Sequence, residues 1–229
     1  MILLDGSMRS RTLGFPLSYT VAMPDKTVKG ERVPPVLLLH NLGEGRSDLI
    51  HSMALSPLVQ KSGVALIIPE GRRSCFLNMT HGPKWNDLLR CELISRLRDE
   101  LPLAAGALSV IGYGAGCLGA LQLARDPSIR CALINPIYIG LLKRNGDIWP
   151  VEAEWKGVFE DTQEQWEKKL FKETRGLLSG CAEQIRAVRE TFDLNGWTDC
   201  LSDQEDRQQQ TLQILHHWAN EPIFPVKST

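Results

Sequence analysis

Several features that would assign this sequence to a particular class of protein are missing from it. Basic residues are scattered and the net charge is −1 at pH 7, so we expect neither nucleic acid nor a membrane surface as a partner. No apolar stretch approaches the length needed to span a membrane, and no secretory leader is visible. The six cysteines form no CxxC pair and none lies at zinc-ligand spacing from a histidine. We therefore expect a reduced, cytoplasmic protein without a metal or a cofactor.

What the sequence does contain is an alternation of apolar strands and helical segments. Apolar residues recur about every four positions between Trp85 and Leu101, which is the spacing of a helix with one buried face. Continuous apolar runs, typical of strands buried on both faces, occur at 35–40, 64–68, 108–111 and 131–134. This order predicts an α/β fold with a mostly parallel central sheet flanked by helices.

The remaining segments complete one domain that covers residues 1–229. Two antiparallel strands are predicted at 1–9 and 16–23. A small insertion or cap, about 145–180, is predicted after the fourth parallel strand. A further short strand is predicted at 192–194 and a last helix at 203–220. No internal repeat or low-complexity linker divides the chain.

A glycine-rich segment lies between the predicted strand at 108–111 and the helix that follows. Gly112-Tyr113-Gly114-Ala115-Gly116 has three interpretations. It could be a nucleotide-binding loop, although no acidic residue ends a following strand as that fingerprint requires. It could be a tight turn without chemistry. It could also be the nucleophile elbow of a hydrolase, where glycines flank the nucleophile because the turn is sharp and crowded.

The segments around this motif favour the hydrolase interpretation. In order along the chain they are LLLHNL at 37–42, IPEGRRS at 68–74, NM at 78–79, WNDLL at 85–89, ELI at 92–94 and NGWTD at 195–199. In order and spacing, over roughly residues 10–200, this set resembles the tributyrin-esterase branch of the serine esterases and, more distantly, the S-formylglutathione hydrolases. The resemblance implies the α/β-hydrolase fold and descent from enzymes that hydrolyse small acyl esters with a serine, a histidine and an acid.

The same resemblance assigns positions to the candidate site residues. Gly114 stands where the family carries its nucleophile, and Asp199 stands where it carries the triad acid. The backbone amides of Leu42 and Ala115 take the positions of the oxyanion-hole donors. The family's glycine after the histidine of the first motif is Asn41 here.

The triad histidine is the remaining position. In this fold the histidine follows the acid, and only His216 and His217 lie beyond Asp199. His216 is therefore the candidate base, since the HHW sequence is similar to the family's H-x-W loop. The short interval after Asp199 and the helical spacing of Leu212 and Leu215 favour the alternative, in which both histidines lie on the last helix.

Because Gly114 has no side chain that could attack an ester, we expect an esterase-family homologue with impaired catalysis. Two alternatives remain open. One is an active short-chain carboxylesterase, if Gly114 is not the native residue. The other is a module that binds a ligand or a protein in its cleft. The expected partner is a small acyl ester or a related small molecule.

Overall fold

A sheet of eight strands forms the centre of the part of the chain that the structure describes. The structure is a computed structural model and describes residues 1–25, 31–137, 174–199 and 206–220. The strands are β1 (Ile2–Arg9), β2 (Pro16–Met23), β3 (Pro35–Leu39), β4 (Ala65–Pro69), β5 (Ser109–Tyr113), β6 (Arg130–Ile134), β7 (Gly176–Ser179) and β8 (Thr198–Asp199). Their order across the sheet is β1-β2-β4-β3-β5-β6-β7-β8. Strands β3 to β8 run parallel, and β1 and β2 are antiparallel to their neighbours.

Helices cover both faces of this sheet. They are α1 (Arg46–Ser52), α2 (Leu55–Ser62), α3 (Trp85–Asp87), a π-helical stretch (Leu88–Leu93), α4 (Ile94–Glu100), α5 (Gly116–Leu123), α6 (Ala182–Phe192) and α7 (Arg207–Asn220). Two apolar clusters result. One packs the segment 85–100 together with α5 and α6 against one face, and the other packs α1, α2 and α7 against the opposite face. The prediction of a mostly parallel sheet flanked by helices is therefore confirmed.

Burial on both faces explains why the central strands read as continuous apolar runs. Every residue of β3 and of β4 is buried, and alternate residues face different clusters. Leu37 packs into the first cluster, whereas Leu38 packs into the second. Each fully buried leucine contributes about 2 kcal/mol relative to an exposed one, so strands of this composition are stable only between two helical layers.

Two predictions for the second half of the chain are corrected by the structure. The strand predicted at 192–194 is wrong: α6 extends to Phe192, and Asp193 ends it in the left-handed conformation. The helix prevails because Ile185, Val188 and Phe192 form one buried stripe along it. The predicted insertion also ends too late, because Gly176–Ser179 forms β7 and pairs with β6. The rest of the predicted insertion, residues 145–173, lies outside the described residues.

The topology brings two loops together at one edge of the sheet. The loop of residues 40–45 follows β3, and the glycine-rich turn of residues 112–116 spans the end of β5 and the start of α5. Strand β5 lies next to β3 in the sheet. In a parallel sheet the carboxyl ends of neighbouring strands meet at the edge where ligands usually bind. No helix in the described ranges is both long enough and apolar enough to cross a membrane.

Candidate active site

The turn after β5 has the backbone of a nucleophile elbow. Gly114 has φ +54°, in the left-handed region, and it links β5 directly to α5. A Cβ on Gly112 would lie 2.6 Å from the Cα of Cys117, and one on Gly116 would lie 2.5 Å from the carbonyl oxygen of His40. Both flanking glycines are therefore required by close approach of the backbone, as the elbow motif predicts.

The side chain of Asn41 occupies the space in front of Gly114. A Cβ on Gly114 would overlap the Oδ1 and Cγ atoms of Asn41 and lie 3.1 Å from its Nδ2. Asn41 Oδ1 accepts a hydrogen bond of 2.8 Å from the backbone N–H of Ala115. Because that backbone group is a donor, the amide oxygen must face it and the amide nitrogen must point elsewhere. The predicted oxyanion donor of Ala115 is thus already occupied from within the protein.

Three contacts hold the loop that carries Asn41. The Nδ1 of His40 lies 2.8 Å from the carbonyl oxygen of Asn41 and donates to it. The backbone N–H of Glu44 donates to the same oxygen at 3.3 Å. Arg207, at the start of α7, donates two hydrogen bonds of 2.6 and 2.8 Å to the Glu44 carboxylate. This bidentate ion pair connects the loop to the start of α7.

His40 is fully engaged in holding this edge of the sheet. Its ring is buried, and its Nε2 accepts the backbone N–H of Gly71 at 2.9 Å. Both ring nitrogens of His40 therefore have hydrogen-bond partners within the protein. The imidazole 3.5 Å away, together with the amides of Arg72 and Arg46, lowers the pKa of the Glu70 carboxyl to about 2. His40 therefore has no free nitrogen with which to take a proton from a group at residue 114.

The predicted triad acid lies on the last strand of the sheet. Asp199 is exposed at the end of β8 and forms an ion pair with Arg189 of α6. The same guanidinium donates to the carbonyl oxygens of Leu194 and Trp197, at 2.7 and 3.1 Å. Asp199 thus has a guanidinium as its partner and closes the segment that connects α6 to β8.

The predicted triad histidine lies on α7. His216 is exposed there, whereas its neighbours Ile214, Leu215 and Trp218 are buried against the sheet. The prediction that the last helix carries both histidines is confirmed. The segment between β8 and α7, residues 200–206, contains no histidine in its sequence.

Two other nucleophilic side chains near the elbow are bound internally. The Cys117 thiol donates to the carbonyl oxygen of Gly112 at 3.1 Å, and burial raises the pKa of this thiol, which keeps it protonated. The Ser74 hydroxyl donates a hydrogen bond of 2.6 Å to the carbonyl oxygen of Gly71 and accepts one of 3.0 Å from the backbone N–H of Phe76. Within the described ranges no group of histidine, cysteine and acidic side chains could hold a metal ion.

Sequence reasoning missed the role of Asn41 and the pairing of Glu44 with Arg207. The signal for the first was present in the sequence: asparagine replaces a family glycine at residue 41, and glycine replaces a family serine at residue 114. What the sequence does not contain is the contact between these two positions, which requires β3 and β5 to be neighbours. The second pairing joins residues 163 positions apart and leaves no local pattern.

Comparisons with known proteins give structural likenesses without close sequence relatives. No family model and no curated protein matches the sequence. The fluorophosphonate-binding serine hydrolase F of Staphylococcus aureus is similar at a TM-score of 0.70 and 14% identity, over 96% of this chain and 99% of that chain. An S-formylglutathione hydrolase from Agrobacterium tumefaciens is similar at a TM-score of 0.69 and 16% identity, over 95% and 94%.

A ferulic acid esterase is similar at a TM-score of 0.66 and 13% identity, over 94% of this chain and 95% of that chain. At these identities the likeness establishes architecture, and it extends over almost the whole length of each protein. This likeness, the strand order and the left-handed Gly114 after β5 together show that the chain has the α/β-hydrolase fold found in these serine hydrolases and esterases.

Proposed function

We propose that this protein is a homologue of the carboxylic-ester hydrolases that does not hydrolyse esters. The observation that carries the proposal is the pair formed by Gly114 and Asn41: the elbow has no hydroxyl, and the asparagine side chain fills the space where a hydroxyl would stand. The Ala115 amide, which would stabilise an oxyanion, is bonded to Asn41 Oδ1. The glycine removes the nucleophile, and the Asn41 side chain occupies both the vacated space and the oxyanion donor.

The positions proposed for the other triad members support the same conclusion. Asp199 is paired with Arg189, and His216 is exposed on a helix surface. In a catalytic triad the histidine must reach both the nucleophile and the acid. Once one member is removed, loss of the others changes the rate little, so a chain without its serine has no catalytic reason to keep them.

The direct test is hydrolysis of p-nitrophenyl butyrate by the purified native protein, together with labelling by a fluorophosphonate probe that modifies activated serines. We expect the rate of buffer alone and no labelling. A rate that scales with protein concentration, or a pre-steady-state burst of nitrophenol, would contradict the proposal and favour an active short-chain carboxylesterase.

Restoring the serine requires two changes, because a side chain at residue 114 collides with Asn41. The informative set is therefore native protein, Gly114→Ser, Asn41→Gly and the double variant. We expect all four at the buffer rate, since the predicted base lies on α7. Activity confined to the double variant would mean that His216 or another base is competent, and that the Asn41–Gly114 pair alone disables the native chain.

A further inference from the structure

A cleft lies away from the elbow, between the helical segment that begins at Trp85 and the far end of α5. Its volume is about 350 Å³, at the lower end of the range of small-molecule sites. The residues that line it are all polar: Asn78, Asn86, Asp87, Arg90, Gln122 and Arg125. Gln122 is near the carboxyl end of α5, whereas the elbow is at its amino end, about 9 Å away along the helix axis. The cleft is therefore separate from the turn at Gly114.

Two contacts hold the walls of this cleft together, one at each end. At one end Asn86 Nδ2 donates a hydrogen bond of 3.1 Å to the carbonyl oxygen of Gly119 in α5. At the other end Arg90 Nη2 lies 3.3 Å from the carboxylate of Asp126, just beyond α5. The two walls therefore run side by side in the same direction, and Arg90 meets the end of α5 next to which Arg125 lies.

Two guanidinium groups line this second end of the cleft. Arg125 is exposed, and among the described residues its side chain makes one hydrogen bond, from Nη1 to Gln122 Oε1 at 3.2 Å. Most of its five N–H groups therefore have no acceptor there. The side chain of Arg90 is 53% exposed, and it shares Asp126 with the Ser128 hydroxyl. Guanidinium groups with N–H groups to spare bind the oxygens of phosphates and carboxylates.

The first end of the cleft offers hydrogen-bond acceptors. Both hydrogen bonds of the Asn86 side chain are donated by Nδ2, so within the described ranges its Oδ1 has no partner. The carboxylate of Asp87 is exposed and accepts one hydrogen bond, of 2.9 Å, from Asn78 Nδ2. Hydroxyl groups would satisfy these oxygens, whereas a bare phosphate or carboxylate brings no such donors.

The backbone that carries Arg90 is also unusual. Leu88–Leu93 is π-helical and lies between α3 and α4. Such turns are rare and frequently lie at functional sites. This observation is independent of the polar lining, and it favours a binding role for the same wall of the cleft.

We propose that this cleft binds a small anion that also carries hydroxyl groups, either a phosphate monoester or a carboxylate. Its charged group lies between Arg90 and Arg125, and its hydroxyl groups donate to Asn86 Oδ1 and to the carboxylate of Asp87. Binding involves no covalent step. The site goes beyond the proposed function, because it uses none of the residues around Gly114.

The test is NMR titration of 15N-labelled native protein with glucose 6-phosphate, gluconate, glucose and inorganic phosphate. We expect the first two probes to shift the backbone N–H resonances of Asp87, Arg90 and Gln122 saturably, because each combines an anion with hydroxyl groups. Glucose lacks the charge and phosphate lacks the polyol, so each should bind at least about tenfold more weakly. The N–H resonance of Ala115, at the elbow, should stay in place.

Arg125→Gln is the matched variant, because it removes the charge of an exposed side chain and keeps an amide donor. We expect it to weaken binding of glucose 6-phosphate and of gluconate by about tenfold, the loss of one charge-assisted hydrogen bond. Arg186→Gln makes the same change at an exposed residue of α6 that does not line the cleft. This control should bind like the native protein, and urea unfolding should show that both variants are folded.

Three results would overturn the inference: no saturable shift with glucose 6-phosphate or gluconate, inorganic phosphate that binds as tightly as glucose 6-phosphate, or unchanged affinity in Arg125→Gln. The proposed function fails separately. Hydrolysis of p-nitrophenyl butyrate by the native protein would refute the absence of catalysis at the elbow, and it would leave the result of the anion titration unchanged.

Discussion

The contact between Asn41 and Gly114 predicts a strong energetic coupling between two positions that are far apart in sequence. The perturbation is Gly114→Ala, made in the native protein and in the Asn41→Gly background. In the native protein the new methyl group displaces the Asn41 side chain, which breaks the bond between Oδ1 and the Ala115 N–H. In the Asn41→Gly background that bond is already absent.

The magnitudes follow from the two separate costs. Alanine in the left-handed conformation of residue 114 costs about 1 kcal/mol. Leaving the Ala115 amide without its acceptor costs about 2 kcal/mol. We therefore expect Gly114→Ala to cost about 3 kcal/mol in the native protein but only about 1 kcal/mol beside Asn41→Gly. The coupling between the two substitutions is then about 2 kcal/mol, within the range found for residues in contact.

The assay is urea unfolding of native protein, both single variants and the double variant, followed by circular dichroism and tryptophan fluorescence. The Asn41→Gly variant alone is expected to lose about 2 kcal/mol. Additive effects, within about 0.5 kcal/mol, would refute the reasoning, because they would mean that the Asn41 side chain does not occupy the space in front of Gly114.

Two further predictions concern the frame around the site. Glu92 accepts hydrogen bonds from the Ser10 hydroxyl and from the backbone amides of Arg11 and Thr12. Burial raises the pKa of the Glu92 carboxyl, but the hydrogen bonds outweigh this effect and lower the pKa from 4.5 to about 2. The carboxylate therefore adds stability above about pH 4.5 that is lost as the pH falls towards 2, and Glu92→Gln should be less stable at pH 7 with a shallower acid transition in urea titrations. Gly116→Ala should lower the free energy of unfolding by about 3 kcal/mol, because the added Cβ meets backbone carbonyl oxygens. Gly63 has open space around it, so Gly63→Ala should cost only about 1 kcal/mol, for its left-handed φ. Equal melting temperatures for the two variants would contradict the close approach at the elbow.

The elements that sequence patterns predicted well are those whose signal is local. The buried strands at β3 and β4 appear as unbroken apolar runs because helices cover both of their faces. The glycines of the elbow are visible because a sharp strand-to-helix turn tolerates no Cβ at those positions. The helix around His216 is predictable because Ile214 and Trp218 share one buried face.

The elements that the patterns missed depend on distant partners. Strand β7 has only four residues and lies between a long polar stretch and a helix, so its strand character comes from pairing with β6. The strand predicted at 192–194 illustrates the reverse case, because Phe192 belongs to the buried stripe of α6. Short segments carry too little periodicity to separate a strand from the end of a helix.

The sequence by itself determined the class of fold, the place of the elbow and the absence of a nucleophile at Gly114, because each is a property of neighbouring residues along the chain. Only the tertiary structure decided what stands in place of the nucleophile. The parallel pairing of β3 with β5 places the loop of Asn41 against the turn of Gly114, and this proximity lets an asparagine oxygen occupy the Ala115 amide. A contact between positions more than 70 residues apart is a consequence of strand order, which no local pattern contains.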